Sequence, residues 1–345
     1  MTATSALPGS VPGHAPLLAT TRGFAGRETV ECVHAGSIAI VDRDGRLVAG
    51  AGDPEALNFT RSTLKPLQAL PFVEDGGMAR FSFGSQDLAV MCSSHSGEGM
   101  HVDRVRAILR RIGAQPSDLG CGAHAPRYFE ALGLPCPPRV GAHVLFHNCS
   151  GKHSGFLAYC RMHGHRLEGY LEMDGALQTR IRNTVRRFAG SDPIAAGTDG
   201  CNAPNFALPL QRLASLYGRI ACDDDPSLQA LYYAMTRHPD LVSGTGRSDL
   251  AIMQAGKGDW VSKVGADGMQ AIGVRSLGLG IAVRIGGGSA WAARTAAVEV
   301  LHQIGLLDEP QRSPLWSYFR PEQRNARGAR TGSCIALFAL PRLVA

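Results

Sequence analysis

Two strand-forming blocks that enclose a long block of helical period constrain this 345-residue chain more than any other feature. Thr29 to Val33 and Gly36 to Val41 predict two strands, followed by the turn at Asp42–Gly45 and a third short run from Leu47 to Gly50. Asn58 or Thr60 supplies a cap for a helix over Ser62–Phe72, kept short or kinked by Pro66 and Pro71. Helical periods then recur at His101–Ile112, Ser150–Met162, Ala176–Phe188, Phe206–Tyr217 and Ser227–Arg237. The strand pattern returns at Leu250–Gln254, Trp260–Val264, Met269–Val274 and Gly280–Ile285, before a closing helix over Ala290–Ile304 and a last apolar run at Ile335–Leu340. An α/β (α+β) domain over residues 27–345 follows, with one sheet built from residues 27–75 and 245–345 and a mostly helical lobe inserted over 95–240. Residues 1–26 contain Pro8, Pro12 and Pro16 and lack a basic start with an apolar core, which predicts a flexible leader rather than a signal peptide.

Composition removes several function classes. The longest apolar runs, such as Leu277–Ile285, are broken by Gly and Arg well short of the ~18 residues of a membrane span. Lys and Arg number 35 against 29 acidic residues, and the surplus of +6 is spread along the chain, so neither nucleic acid nor a membrane is an expected partner. The densest basic stretch, Arg104–Arg111, keeps Val105, Ile108, Leu109 and Ile112 at helical spacing, which makes its arginines a solvated face. Nine scattered Cys, an odd number without an export signal, predict a reduced, cytoplasmic protein.

Chemistry concentrates in three places. Ser62 and Lys65 form Ser-x-x-Lys at a helix start, where a spacing of three puts both side chains on one face. A serine hydroxyl needs a base at neutral pH, and a lysine serves once burial or a second cation leaves its amine neutral. By itself this motif is common and more often a surface Ser beside a solvated Lys. A cluster of hydroxyls, Ser93-Ser94-His95-Ser96-Gly97-Glu98, follows the apolar run Leu88–Cys92, and Lys263-Val264-Gly265 lies on a late strand before the turn at Asp267-Gly268. Read singly, these are a helix cap and a hairpin flank. In order, the three reproduce the logic of serine β-lactamases and penicillin-binding proteins, although Ser-Asp-Asn is missing and Val264 stands where Thr or Ser is usual.

A narrower resemblance rests on five separated strings: Arg61–Pro66, Cys92–Glu98, Asn148–His153, Asp199–Pro204 and Lys263-x-Gly265. Together, from about Val33 to Ile304, they resemble the rhizobial-type (class 3) L-asparaginase family. That resemblance implies a serine-β-lactamase-like three-layer α/β/α fold with a mainly antiparallel sheet, a homodimer, and hydrolysis of the side-chain amide of L-asparagine to L-aspartate and ammonia. It assigns Ser62 as nucleophile with Lys65 as its partner, and Ser94 with Lys263 as a second Ser-Lys pair in the same pocket. It also implies one zinc per chain on Cys149, Lys152 and Cys201, of which two thiolates are good zinc ligands and a neutral lysine an unusual one. Arg61, His153 and Asp199 become substrate-binding candidates, with a structural Arg and partners of the metal ligands as the competing roles.

The motifs leave two other classes open. A different Ser-Lys amidohydrolase or esterase on the same scaffold, such as a glutaminase or D,D-peptidase, shares every catalytic argument and differs in pocket shape. A catalytically silent amide-binding sensor would keep the fold and bind without turnover. Gly286-Gly287-Gly288-Ser289 lacks the Lys-Ser/Thr of a phosphate loop and reads as a tight strand-to-helix turn, so no nucleotide cofactor is expected.

Overall fold

The computed structural model describes residues 13–24, 26–190 and 195–344. Its frame is a sheet of seven strands: β1 (Ala15–Phe24), β2 (Arg27–Val41), β3 (Leu47–Ala51), β7 (Trp260–Gly265), β8 (Met269–Val274), β9 (Leu279–Ile285) and β12 (Cys334–Ala336). The order is β12-β1-β2-β9-β8-β7, with β3 paired to β2, and every pairing is antiparallel. Short strands β4 (Leu57–Phe59), β5 (Ala195–Thr198) and β6 (Pro204–Pro209) form a second sheet, and β10 (Gln323–Arg324) pairs with β11 (Arg330–Gly332). The two chain ends do share one sheet, because the apolar strands at each end have no other partner long enough to satisfy their backbone groups.

The helices run α1 (Lys65–Glu74), α2 (Gly77–Arg80) and α3 (Ser85–Met91) ahead of the insert, then α4 (Gly99–Arg111), α5 (Tyr128–Ala131) and α6 (Ser150–Met162) in its first half. Then come α7 (Ala176–Ala189), α8 (Leu210–Cys222), α9 (Pro226–Arg237), α10 (Pro239–Val242), α11 (Ser248–Ala255) and the closing α12 (Ala290–Gln303). None is long and apolar enough to cross a membrane among the described residues.

Period-two alternation sorts the sheet's side chains into two cores. Ile38, Ile40, Ile272, Val274, Ile281 and Val283 point to one face and pack with Ala292, Ala296 and Val300 of α12. Ala39, Val41, Ala271 and Ala282 point to the other, under Ala214 and Tyr217 of α8. Small residues on that second face bring α8 close: a Cβ on Gly280 would stand 2.0 Å from the Ala214 carbonyl oxygen. The sheet is therefore covered by helices on both faces, which is why its central strands read as unbroken apolar runs.

Four expectations differ. The expected leader, residues 1–26, contains β1, which pairs with β2 from Ala15↔Gly36 to Phe24↔Arg27 and buries Leu17 and Leu18; residues 1–12 lie outside the described residues. Thr29–Val33 and Gly36–Val41 are one continuous strand, because β1 backs the first half and β9 the second. Phe206–Tyr217 divides into β6 and α8 at Pro209, which ends the strand and caps the helix. Leu250–Gln254 is helical in α11, since a short apolar run carries no period of its own and Ser248 and Asp249 precede it. The glycine turn behaves as expected, with Gly288 at φ +76° and the Ser289 side chain accepting from the Ala292 N–H to start α12.

Candidate active site

Ser62 lies in a 3₁₀ turn, Arg61–Leu64, that runs into α1 with Pro66 in its first turn. The residue before it is held at φ +51°, a conformation that costs a non-glycine residue about 1 kcal/mol or more and persists only where the surroundings enforce it. They do so here. The Arg61 N–H donates to Asn205 Oδ1 at 3.0 Å, its Nε donates to Asp199 Oδ1 at 2.9 Å, and its guanidinium also meets the Asp267 carboxylate. Arg61 thus fixes the turn that presents Ser62, and it faces a separate shallow cavity rather than the one Ser62 lines.

Lys65 is fully buried, and its Nζ donates to the Ser93 carbonyl at 2.6 Å, to Ser94 Oγ at 2.8 Å and to the Asn148 carbonyl at 3.4 Å. Burial lowers its pKa, Cys149 opposes that, and Lys152 adds to it. Lys65 is thus hydrogen-bonded to Ser94, while no side-chain hydrogen bond joins it to Ser62 among the described residues. The loop that carries Ser94 is tied down throughout, by Ser94 N–H to the Val242 carbonyl at 3.0 Å, Ser96 Oγ to the Ser243 carbonyl at 3.0 Å, and a 2.9 Å contact between His95 Nε2 and Ser150 Oγ.

Lys263 is equally buried, on β7, and faces Asp249 of α11 rather than Ser94. Its Nζ lies 3.4 Å from Asp249 Oδ2 and 3.0 Å from the Val264 carbonyl. The carboxylate also accepts from Ser262 Oγ at 2.8 Å, the Val264 N–H at 2.9 Å and Gln270 Nε2 at 3.1 Å. Those donors and Lys263 outweigh burial and hold Asp249 below the usual carboxylate range. Burial pushes the Lys263 amine down to about 8, against the pull of Asp249 and with Lys65 adding to the fall. Gly265 lets β7 approach the serine turn, since a Cβ there would meet Met269 Cβ at 2.8 Å and the Thr60 carbonyl at 3.2 Å.

Cys149, Lys152 and Cys201 come together near Lys65. Cys149 ends the segment before α6, Lys152 lies on its first turn, and Cys201 sits in the turn after Asp199. Lys152 Nζ is 3.1 Å from Cys201 Sγ. Cys201 and the Lys65 and Lys152 amines hold the Cys149 pKa well below its ordinary value against burial, while Cys149 and burial raise that of Cys201. Burial pulls Lys152 down, but the two sulfur groups more than offset it. His153 is buried and neutral, pushed down to about 4 chiefly by burial; its Nδ1 lies 2.6 Å from Tyr170 Oη and its Nε2 has no hydrogen-bond partner. No three of His, Cys, Asp and Glu gather as a metal cage among the described residues. The two thiols and the Lys152 amine do stand together, and thiolates of this kind suit zinc.

Ser62 and Ser94 open together into a cavity of about 600 Å3, with Asn148, Val264 and Gly265 in its wall. Lys65 and Lys263 stand behind that wall, and Arg61, His153 and Asp199 do not reach it. Asp199 instead joins the two halves of the site, accepting from Arg61 while Lys152 and Arg61 hold its pKa down against burial. Sequence reasoning missed Asp249 and Asn205, which sit in no motif; an Asp in the first turn of a helix looks like an ordinary helix-start residue.

With this geometry in view, the family model of L-asparaginase II matches residues 21–336, and the chain belongs to that family. Membership supports an amidohydrolase activity on a small-molecule substrate. The chain matches none of the curated proteins with which it was compared. Among solved structures it is similar to "Crystal Structure Analysis of Mglu", at 14% identity over 79% of this chain and 68% of that chain, with a TM-score of 0.36.

Proposed function

We propose that the protein is an L-asparaginase that cleaves the side-chain amide through an ester on Ser62. The observation that carries this is the cavity shared by Ser62 and Ser94 with two fully buried lysines behind it, one of them bonded to Ser94. Ser62 Oγ attacks the amide carbon and passes its proton through Ser94 to the neutral Lys65 amine. Negative charge develops on the amide oxygen, to which the Ser62 N–H at the start of the turn would donate, the Arg61 and Thr63 N–H groups being engaged by Asn205 and the Thr60 carbonyl. Collapse breaks the C–N bond, and the nitrogen leaves as ammonia with the proton returned by the same relay. Water then attacks the β-aspartyl ester, Ser62 recovers its proton, and L-aspartate is released.

Lys263 keeps a second cation next to Lys65, which makes a neutral amine available near neutral pH. Its own charge is held by Asp249. Arg61, Asp199 and His153 act here as positioning residues. Cys149, Lys152 and Cys201 would hold zinc, which when bound supplies a Lewis acid and a rigid tie between α6 and the Asp199 turn. We also extend to this chain the homodimer, the cytoplasmic setting and the β-lactamase-like architecture that its motifs imply; the nine free thiols support the second and the helix-covered antiparallel sheet the third. Ammonia release from L-asparagine, L-glutamine and D-asparagine tests the assignment: L-asparagine is expected to be the best of the three, and a clear preference for either of the others would replace the substrate.

A further inference from the structure

The cavity that Ser62 and Ser94 enter is strongly biased in charge. Arg127, Arg247 and Arg294 line it against one carboxylate, Glu130. Arg127 precedes α5, Arg247 precedes α11 and Arg294 lies on α12, so three separate elements deliver one guanidinium each. Among the described residues, neither Arg127 nor Arg247 has an ion pair, and Arg294 donates only to the Ala290 carbonyl at 3.0 Å and lies over the Tyr318 ring. Burial lowers the pKa of Arg247, Asp249 and Glu130 oppose that, and Arg127 and Arg294 add to it, so the three guanidinium charges share one space. Ser94 is buried and Arg127 exposed, so the cavity runs from the serines out to the guanidinium groups.

Volume points the same way. About 600 Å3 is in the range of a drug-sized ligand, well beyond nine heavy atoms of free asparagine. Free asparagine is also a zwitterion and brings no net charge to a chamber whose lining carries a surplus of two positive charges. Guanidinium groups without partners favour carboxylates, which they hold in bidentate hydrogen bonds.

Resting on the amidase assignment above, we propose that the preferred substrate is an asparagine whose α-amino group carries an acidic acyl or peptidyl substituent, with the added carboxylate held by Arg127, Arg247 and Arg294. The scissile amide stays at Ser62, and the substituent fills the outer cavity.

The test compares ammonia release from L-asparagine, N-acetyl-L-asparagine and N-succinyl-L-asparagine by the full chain, and measures binding of N-succinyl-L-aspartate by calorimetry at low and high salt. The expected kcat/KM for the succinyl compound exceeds that for the acetyl compound by about tenfold, a difference of ~1.4 kcal/mol. The ratio should shrink several-fold in Arg127→Gln and in Arg294→Gln, both on accessible side chains whose loss leaves the core intact. A ratio near one that neither variant changes would overturn the proposal while leaving the amidase assignment in place. If no amide releases ammonia, the amidase assignment fails and calorimetry decides the anion site alone. Salt-sensitive binding of N-succinyl-L-aspartate that weakens in Arg127→Gln supports it, and no binding overturns it.

Discussion

Lys65 Nζ lies 2.8 Å from Ser94 Oγ, so the lysine that follows Ser62 by three residues is bonded to a serine 29 positions further on. Ser62 and Ser94 then open into one cavity, and in the proposed relay the amine reaches Ser62 through the second hydroxyl. Lys65→Met removes the base and keeps most of the volume. Turnover should fall about 10²–10⁴-fold, the usual contribution of general base catalysis, with an unchanged circular dichroism spectrum. Activity within tenfold of the native value would break the relay.

Asp249 neutralises Lys263 where neither touches water. Asp249→Ala leaves a buried cation without its partner and strands Ser262, Gln270 and the Val264 N–H, so denaturation should show a loss of about 3–5 kcal/mol. A loss below about 1 kcal/mol would mean that the pair does little for the fold.

The pH profile follows from the two buried lysines. Burial and Lys152 lower the pKa of Lys65, the base of the proposed relay, so its neutral fraction grows as pH rises and kcat/KM should climb on a limb below the ordinary lysine value of 10.5. The Lys263 amine, the cation beside it, sits at about 8. The folded value lies below the ordinary 10.5, so the unfolded chain binds more protons between about 8 and 10.5, and stability rises with pH across that window. Asp249→Asn removes the anion that holds the Lys263 charge, so less cation faces Lys65 and the limb should move to higher pH. A limb that stays in place would assign it to another group.

Much of this was legible in the chain. Ile38, Ile40, Ile281 and Val283 announce a strand pair through period two, and Ser150–Met162 is helical over the residues its pattern marks. Ser62, Ser94, Lys65 and Lys263 stood out as motifs and are gathered around one cavity. Their pairing was not legible, because which amine meets which hydroxyl depends on how the Ser94 loop is pinned by Val242 and Ser243, two contacts more than 140 residues away. Arg61 looked like a substrate ligand from its place in a motif, and only the fold shows its guanidinium already engaged by Asp199 and Asp267.

Gly265 sets how closely β7 approaches the serine turn. In Gly265→Ala the new methyl must displace Met269 or the Thr60 backbone, at about 1–3 kcal/mol. Turnover should drop by at least tenfold while the protein stays folded. An active, equally stable variant would show that the turn has room to spare.

Cys149, Lys152 and Cys201 make a metal prediction that needs no activity assay. Untagged protein should carry about one zinc per chain, and Cys149→Ser should reduce it sharply, since a serine hydroxyl is a poor replacement for a thiolate. Zinc content unchanged in the variant would place the metal elsewhere.

The central claim is that Ser62 carries the acyl group, and the most direct test is ammonia release from L-asparagine by the native protein and by Ser62→Ala, purified alike and with matching circular dichroism. Turnover in the native protein that vanishes in the variant is the predicted result. Turnover that persists in Ser62→Ala would contradict the mechanism and shift the nucleophile to Ser94 or to water.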